Sequence, residues 1–401
     1  MKFALIKERK NPPDRRVVLS PAACKELTEA YPDFQIKVEG SDVRVFTDDE
    51  YITEGIEVSD NILDCDVLLG VKEVPIDTLL PNKKYFFFSH TIKKQAYNRK
   101  LLQAVLEKNI ELYDHEVITN TKGLRIVAFG RYAGIVGAYN GFRTFGLKHN
   151  SFQLPKAQSL ADQKALIKAL NKISLPNIKI VLTGKGRVSN GAKEMLDGMN
   201  IKEVSANDYL HKMYNEPVYT QLDVLDYNER KDGKLIDMFD FFNNPTEYRS
   251  TFMPYAKVSD LYIACHFWDS KAPFIFSRDD AKSPDFKIKV IADISCDIDG
   301  PVASTIRSST IADPIYGYHP KSEKEIHYTD DDAIAVMAVD NLPAELPNDA
   351  SVGFGKSFSE HVIPAFFNRD KDGVLERAKM CENGKLTERF TYLQDYVDGK
   401  E

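Results

Sequence analysis

Two ionisable side chains follow short apolar runs in the same way: Lys72 comes after Val67-Leu68-Leu69-Gly70-Val71, and His90 after Tyr85-Phe86-Phe87-Phe88-Ser89. Runs of this kind read as buried strands. Each group is then delivered to the carboxyl end of a sheet, where open parallel sheets bind ligands. A lysine near other cations loses its proton more easily, and histidine titrates near neutrality, so the pair suits general acid–base work. Singly, a strand-end lysine is usually solvated and a lone histidine usually packs; the pairing makes them candidates. His266 and Asp293 end two later apolar runs, and for His266 packing is the preferred reading. No HxxxH or HExxH spacing occurs, and Cys24, Cys65, Cys265, Cys296 and Cys381 form no CxxC pair, so neither a metal site nor a disulfide framework is expected.

A third pattern concerns phosphate. The strand-like Ile178–Thr183 leads into Gly184-Lys185-Gly186-Arg187-Val188-Ser189, and Ala192, Met195, Leu196 and Met199 then recur at helical spacing. Gly184 permits a tight turn, and Gly186 lets the backbone approach a pyrophosphate at the helix start. Ser189 stands where the third glycine of a dinucleotide fingerprint falls, so the alternative is an ordinary strand-to-helix turn.

These groups need a scaffold of alternating strands and helices. Apolar segments at Phe3–Ile6, Val67–Leu69, Tyr85–Phe88, Ile110–Tyr113, Ile178–Leu182, Leu261–Cys265 and Ile288–Ile291 predict parallel sheets with crossover helices, an α/β fold. Phe129–Leu147, with Gly130, Gly134, Gly137, Ala138 and Gly141, reads as a closely packed helix or, because glycine costs about 1 kcal/mol per helical position, as partly irregular. Asp208–Arg249 is polar and aromatic with little periodicity, and reads as an irregular insertion. A chain of 401 residues favours two domains. With 43% apolar residues, no membrane-length apolar run and an N-terminus too short in apolar residues for a signal peptide, a cytoplasmic protein is expected, without membrane partners. A net charge of −7 disfavours nucleic acid and leaves small molecules as the expected partners.

The residues lie in recognisable phrases. Asp14-Arg15-Arg16-Val17-Val18-Leu19-Ser20-Pro21, Phe87-Phe88-Ser89-His90-Thr91-Ile92-Lys93-Lys94-Gln95 and Leu124-Arg125-Ile126-Val127-Ala128-Phe129-Gly130 resemble the L-lysine-forming saccharopine dehydrogenases. Thr183–Gly191, Asp293–Asp297 and Asp340–Pro347 are similar to the lysine–2-oxoglutarate reductase branch. The resemblance implies the architecture of the alanine dehydrogenase superfamily: two Rossmann-type domains with parallel sheets flanking a cleft, the dinucleotide domain (129–345) inserted in a substrate domain (1–128 plus 346–401). It also implies the chemistry, in which lysine's ε-amine and the keto carbon of 2-oxoglutarate form an imine that a hydride reduces to saccharopine, or the reverse. Lys72 and His90 match the family's base and acid. Arg16, Lys93, Gln95, Arg125 and Phe129 match its substrate site, and Ser295, Cys296 and Asp297 match contacts near the substrate. Gly184, Gly186, Arg187, Val188, Ser189, Ser205, Phe267, Asp293, Ile294 and the Val339, Asp340, Asn341, Leu342 loop match dinucleotide contacts.

Saccharopine's three carboxylates suit arginine forks, so Arg16 and Arg125 qualify, although without the resemblance each reads first as a surface residue. The strand Ile201–Val204 ends at Ser205, where the yeast-type NAD enzymes carry an acid; a serine there tolerates a 2′-phosphate, so NADP(H) is expected over NAD(H), with Glu203 and Asp208 as alternative acids. Animal and plant reductases are commonly fused to a second dehydrogenase, and a sequence ending at Glu401 is expected to perform only the lysine-side half-reaction. The rival readings are an alanine dehydrogenase or transhydrogenase-like enzyme and a non-catalytic dinucleotide-binding protein.

Overall fold

Val67-Leu68-Leu69 is buried along its whole length, and the Phe-rich run after it nearly so. Strands covered on both faces carry unbroken apolar runs, which is the mark of parallel sheets packed between helices. In the computed structural model, which describes residues 1–400, the strands are β1 (Lys2–Leu5), β2 (Gln35–Val38), β3 (Glu57–Val58), β4 (Val67–Leu69), β5 (Lys84–Phe87) and β6 (Glu111–Asp114). There follow β7 (Lys179–Thr183), β8 (Lys202–Glu203), β9 (Val218–Leu222), β10 (Asn228–Arg230), β11 (Tyr248–Ser250), β12 (Leu261–Ala264) and β13 (Val290–Asp293). β14 (Ile315–His319), β15 (Lys324–Ile326), β16 (Ile334–Met337), β17 (Lys379–Glu382) and β18 (Lys385–Leu386) complete the set. The chain divides into two units, Met1–Phe129 with the return from Pro347 onward, and Gly130–Leu346.

The first unit holds a sheet of order β18-β17-β6-β5-β4-β1-β2-β3, parallel from β6 to β3 and antiparallel at β17 and β18. One face buries Leu68, Tyr85, Phe87 and Leu112 against Leu102, Val105 and Tyr396. On the other, Phe86 meets Phe358 of the Pro347–His361 helix edge-on, ring centroids 5.6 Å apart. Each such buried aromatic or leucine is worth about 1.5–3 kcal/mol, so the sheet is clamped from both sides. The chain lays β2 and β3 on one side of β1 and then β4, β5 and β6 on the other. The direction of winding therefore switches between β1 and β4, and a crevice at their carboxyl ends is the ligand position of such sheets.

The second unit repeats the plan with the order β15-β14-β16-β13-β12-β7-β9-β8, parallel except at β14 and β15. Its switch lies between β7 and β12. The glycine-rich stretch after Phe129 is a regular helix, Gly130–Lys148. Glycine is needed because this helix touches the Arg187–Gly198 helix backbone to backbone: a Cβ on Gly134 would stand 1.8 Å from the Val188 carbonyl oxygen, and one on Gly191 1.9 Å from that of Arg131. Asp208–Arg249 is less irregular than its composition suggests. It contributes β9 to the main sheet, wedged between β7 and β8, and the β10–β11 hairpin. β9 carries Tyr219-Thr220-Gln221 at its centre rather than an apolar run, which hid it.

Candidate functional site

At the first switch point, the segment after β1 meets the segment after β4 through one carboxylate. Glu8 accepts the backbone N–H groups of Val71 (2.6 Å) and Lys72 (2.9 Å), fixing the backbone that carries Lys72. Burial pushes the Glu8 carboxyl up to about 7, against the pull of those two bonds. Arg16 and Asp14 lie beside it, 3% and 4% exposed, in a two-pronged pair: Nε donates to Oδ1 at 3.0 Å and one terminal nitrogen to Oδ2 at 2.6 Å. Burial alone would raise Asp14, but the Arg16 charge and bonds, with Lys72, hold it below its ordinary value. The Lys72 ammonium makes no ion pair within 4 Å among the described residues, and burial together with the Arg16 charge lowers its pKa. A lysine so placed gives up its proton more easily than a solvated one.

His90 follows β5 in the left-handed region, φ 55°. The turn is pinned from below, where Ser89 donates its N–H (3.0 Å) and its hydroxyl to the Asp114 carboxylate at the end of β6. The imidazole stacks near Phe88, 6.2 Å between centroids, with Nε2 3.8 Å from Glu73 and Nδ1 3.5 Å from both Glu116 and Lys93. Glu73 also holds Lys10 at 2.6 Å. Burial would raise the Glu116 carboxyl, yet His90, Lys93 and Arg125 bring it down to about 2. The Arg125 guanidinium lies 5.3 Å above Phe88 and that of Arg16 4.3 Å above Phe129, and the two rings are 5.9 Å apart. Arg16, Lys72, His90, Lys93, Arg125 and Phe129 therefore share one neighbourhood. Gln95 stands apart, exposed, with its backbone carbonyl accepting the Tyr396 hydroxyl at 2.6 Å.

In the second unit, Gly184 sits at φ 95°, and a Cβ there would strike the Cys265 carbonyl oxygen at 2.7 Å across the switch point. Gly186 caps the Arg187–Gly198 helix, and a Cβ on it would meet nothing within 4 Å. That open backbone at a helix N-terminus fits a pyrophosphate, with Arg187 exposed and Val188 half-buried in the first turn. Ser189 replaces the third glycine without crowding, turning its hydroxyl back to the Gly186 carbonyl at 2.9 Å. His266 is a packing residue, Nδ1 3.0 Å from the Thr183 hydroxyl and its pKa driven down to about 4 by burial. Phe267, the next residue, is 85% exposed.

Asp293 is buried at the end of β13. It spends its oxygens on its own loop, accepting from the Ser295 N–H (3.1 Å) and hydroxyl (2.6 Å), the Cys296 N–H (3.1 Å) and the Thr305 hydroxyl (2.6 Å). The Cys296 thiol faces the Ala338 carbonyl at 3.0 Å, and burial followed by the Asp293 charge lifts Asp297 to about 6. Ile294 and Leu342 pack over Gly137, Val339 is buried, and Asp340 and Asn341 stay accessible. Ser205 does not stand beside the glycine turn. It lies two residues beyond β8, which β9 separates from β7, and its hydroxyl accepts the Asp208 N–H at 3.1 Å to cap the helix Ala206–His211. The expectation of NADP(H) assumed that β8 is the neighbour of β7, and so loses its structural basis.

Residues 4–136 match the family described as alanine dehydrogenase/PNT, N-terminal domain. The chain is 29% identical to the Bos taurus protein named alpha-aminoadipic semialdehyde synthase, mitochondrial, over 100% of its own length and 48% of the relative's. It is 26% identical to the saccharopine dehydrogenase [NAD(+), L-lysine-forming] of Emericella nidulans, covering 94% of this chain and 95% of that one. The chain is thus similar over most of its length to proteins named saccharopine dehydrogenase. It spans about half the length of the first of these relatives. An L-alanine dehydrogenase structure superposes with a TM-score of 0.67, covering 99% of this chain and 100% of that one at 16% identity, which is a likeness of fold.

Several residues of this site escaped the sequence reading. Glu8, Asp14, Glu73 and Glu116 are the anions that fix or neutralise its cations, and Phe88 bridges the two arginines. Asp14 stands two residues before Arg16 and Glu73 one after Lys72, so a search for opposite charges flanking each candidate cation finds them. Nothing local distinguishes Glu116 from other acidic residues at strand ends.

Proposed function

We propose that the chain is a nicotinamide-dependent oxidoreductase interconverting saccharopine with L-lysine and 2-oxoglutarate. The observation that carries this is the grouping of Lys72, His90, Arg16 and Arg125 at one sheet edge, in a chain similar end to end to proteins named for that reaction. Residues 1–129 and 347–401 would bind the substrate and residues 130–346 the dinucleotide. Gly184, Gly186 and Arg187 would hold its pyrophosphate, and its nicotinamide would supply or take up the hydride.

Saccharopine's secondary amine must lose a proton as its glutamyl Cα loses a hydride. Lys72, desolvated and beside Arg16, is the group adjusted to take that proton. The resulting imine adds water at the same carbon, and the carbinolamine splits its C–N bond to release lysine's amine and the ketone of 2-oxoglutarate. His90, with one ring nitrogen near Glu73 and the other near Glu116, moves the protons of water addition and C–N cleavage. Arg16 and Arg125, each braced on an aromatic ring, would draw the substrate's carboxylates by their charge. Ser295, Cys296 and Asp297, in the loop Asp293 organises, complete the substrate contacts.

The test is oxidation of reduced dinucleotide in the presence of lysine plus 2-oxoglutarate, with pyruvate plus ammonia as the competing pair. Turnover is expected only with the first pair. Comparable turnover with the second would assign the chain to alanine dehydrogenase chemistry instead.

A further inference from the structure

In dinucleotide-binding sheets the adenosine ribose is read at the end of the strand lying beside the one that enters the glycine turn. A carboxylate there binds the ribose hydroxyls and repels a 2′-phosphate. Chain order nominates β8 for this place, but hydrogen bonding gives it to β9. Five register pairs, from Lys179↔Val218 to Thr183↔Leu222, join β9 to β7. The pairing continues into the turn: the Gly184 N–H donates to the Leu222 carbonyl at 2.8 Å, and the Gln221 side-chain amide to the Gly184 carbonyl at 2.9 Å. The next residue is Asp223. With strands about 4.8 Å apart, Asp223 is one strand spacing from the turn and Ser205 two.

The carboxylate is held in place. Asp223 Oδ1 accepts the Val224 N–H at 2.7 Å, and its own N–H donates to Asp226 at 2.7 Å, so the backbone at the strand end is fixed. Oδ2 lies 3.8 Å from Nζ of Lys185, a residue of the glycine turn itself, and the side chain is 32% exposed. An apolar hollow lined by Val224, Tyr227, Phe242, Phe267 and Trp268 begins at the following residue, and its aromatic lining is of the chemistry that adenine's faces favour. Three cations of this unit, Lys185, Lys202 and Arg187, offer little opposition. Lys185 is paired with Asp223, Lys202 lies on β8 4.0 Å from Glu216, and Arg187 starts the helix where both coenzymes present the same pyrophosphate.

We infer that Asp223 selects the coenzyme, binding the adenosine ribose hydroxyls of NAD(H) and excluding the 2′-phosphate of NADP(H). This rests on the dinucleotide-binding part of the proposed function and is independent of the amino-acid substrate. The test is equilibrium binding of NADH and of NADPH to the full chain, measured by calorimetry, for the wild type, Asp223→Ser and Ser205→Asp. The wild type is expected to bind NADH at least tenfold more tightly than NADPH. Asp223→Ser should reduce that ratio at least tenfold, chiefly by tightening NADPH, and Ser205→Asp should move it less than twofold. A wild type that favours NADPH, a ratio that Asp223→Ser leaves in place, or a larger response to Ser205→Asp overturns the inference while the dinucleotide reading stands. Binding of neither coenzyme overturns both. The wild-type ratio decides even if a variant folds poorly.

Discussion

Replacing Asp14 with Asn separates what the Arg16–Asp14 pair does for the fold from what Arg16 does for a substrate. Both side chains are buried, and Asp14 receives two side-chain bonds and the Arg16 backbone N–H at 3.0 Å. Arginine stays protonated at any accessible pH, so the variant leaves a buried charge without its counterion. Loss of one partner from such a pair costs about 3–5 kcal/mol; the amide oxygen restores one acceptor, which puts the expected loss near 3 kcal/mol, roughly two powers of ten in the folding constant. The assay is urea unfolding followed by far-UV circular dichroism, with Trp268 emission as a separate report on the second unit. Removing both charges, as Asp14→Leu with Arg16→Met, should recover most of the stability, because no buried charge is left unpaired, while KM for 2-oxoglutarate stays raised. The pH dependence has a definite sign. Asp14 titrates below its unfolded value in the native state, so its contribution is complete above about pH 4 and is lost as pH falls through the native pKa. Asp14→Asn should remove that acid-side slope. A loss below about 1 kcal/mol, or a double variant no more stable than Asp14→Asn, would refute the reasoning, since either result requires that the pair is solvated.

Lys72→Met and His90→Gln should each lower the maximal rate by about 10²-fold or more, the usual contribution of an acid–base group, with smaller changes in KM; near wild-type rates across pH would remove both from the chemistry. Gly134→Ala should destabilise the second unit by several kcal/mol despite the roughly 1 kcal/mol that alanine gains in a helix. Its methyl would meet the backbone of Val188 at 1.8 Å, where no side chain can swing away. A rise in Tm would show that the two helices are not in backbone contact.

What the sequence made legible follows physical lines. Strands buried on both faces, such as β4 and β12, announce themselves as apolar runs, and Lys72, His90 and Asp293 were found because they end such runs. The glycine turn was visible because its function demands small residues at fixed offsets. β9 was missed because its two buried faces carry Tyr219 and Thr220, whose burial depends on neighbours far away in sequence. Missing it transferred the ribose position from Asp223 to Ser205, because a sequence gives strand succession and only hydrogen bonding gives strand adjacency. The anions Glu8, Glu73 and Glu116 escaped for a related reason: a buried carboxylate is written with the same letter as a solvated one.

The two units solve the same geometric problem with different chemistry, and the difference follows from what each switch point must hold. Both begin a parallel sheet with one strand and diverge to either side of it, which leaves a crevice at the carboxyl ends of β1 and β4 in one unit and of β7 and β12 in the other. On the proposed function the second crevice would hold a pyrophosphate, whose oxygens backbone N–H groups can bind, and it is lined by glycines and an open helix N-terminus. On the proposed function the first crevice would hold a polycarboxylate undergoing proton transfer, which needs mobile protons and fixed cations together, and cations crowded into a crevice repel one another. Glu8, Asp14, Glu73 and Glu116 answer that requirement in the first unit by bonding the backbone beside Lys72, clamping Arg16 and flanking His90. Lys72 makes no ion pair within 4 Å among the described residues, and burial with the Arg16 charge makes its ammonium give up a proton more easily than a solvated lysine's.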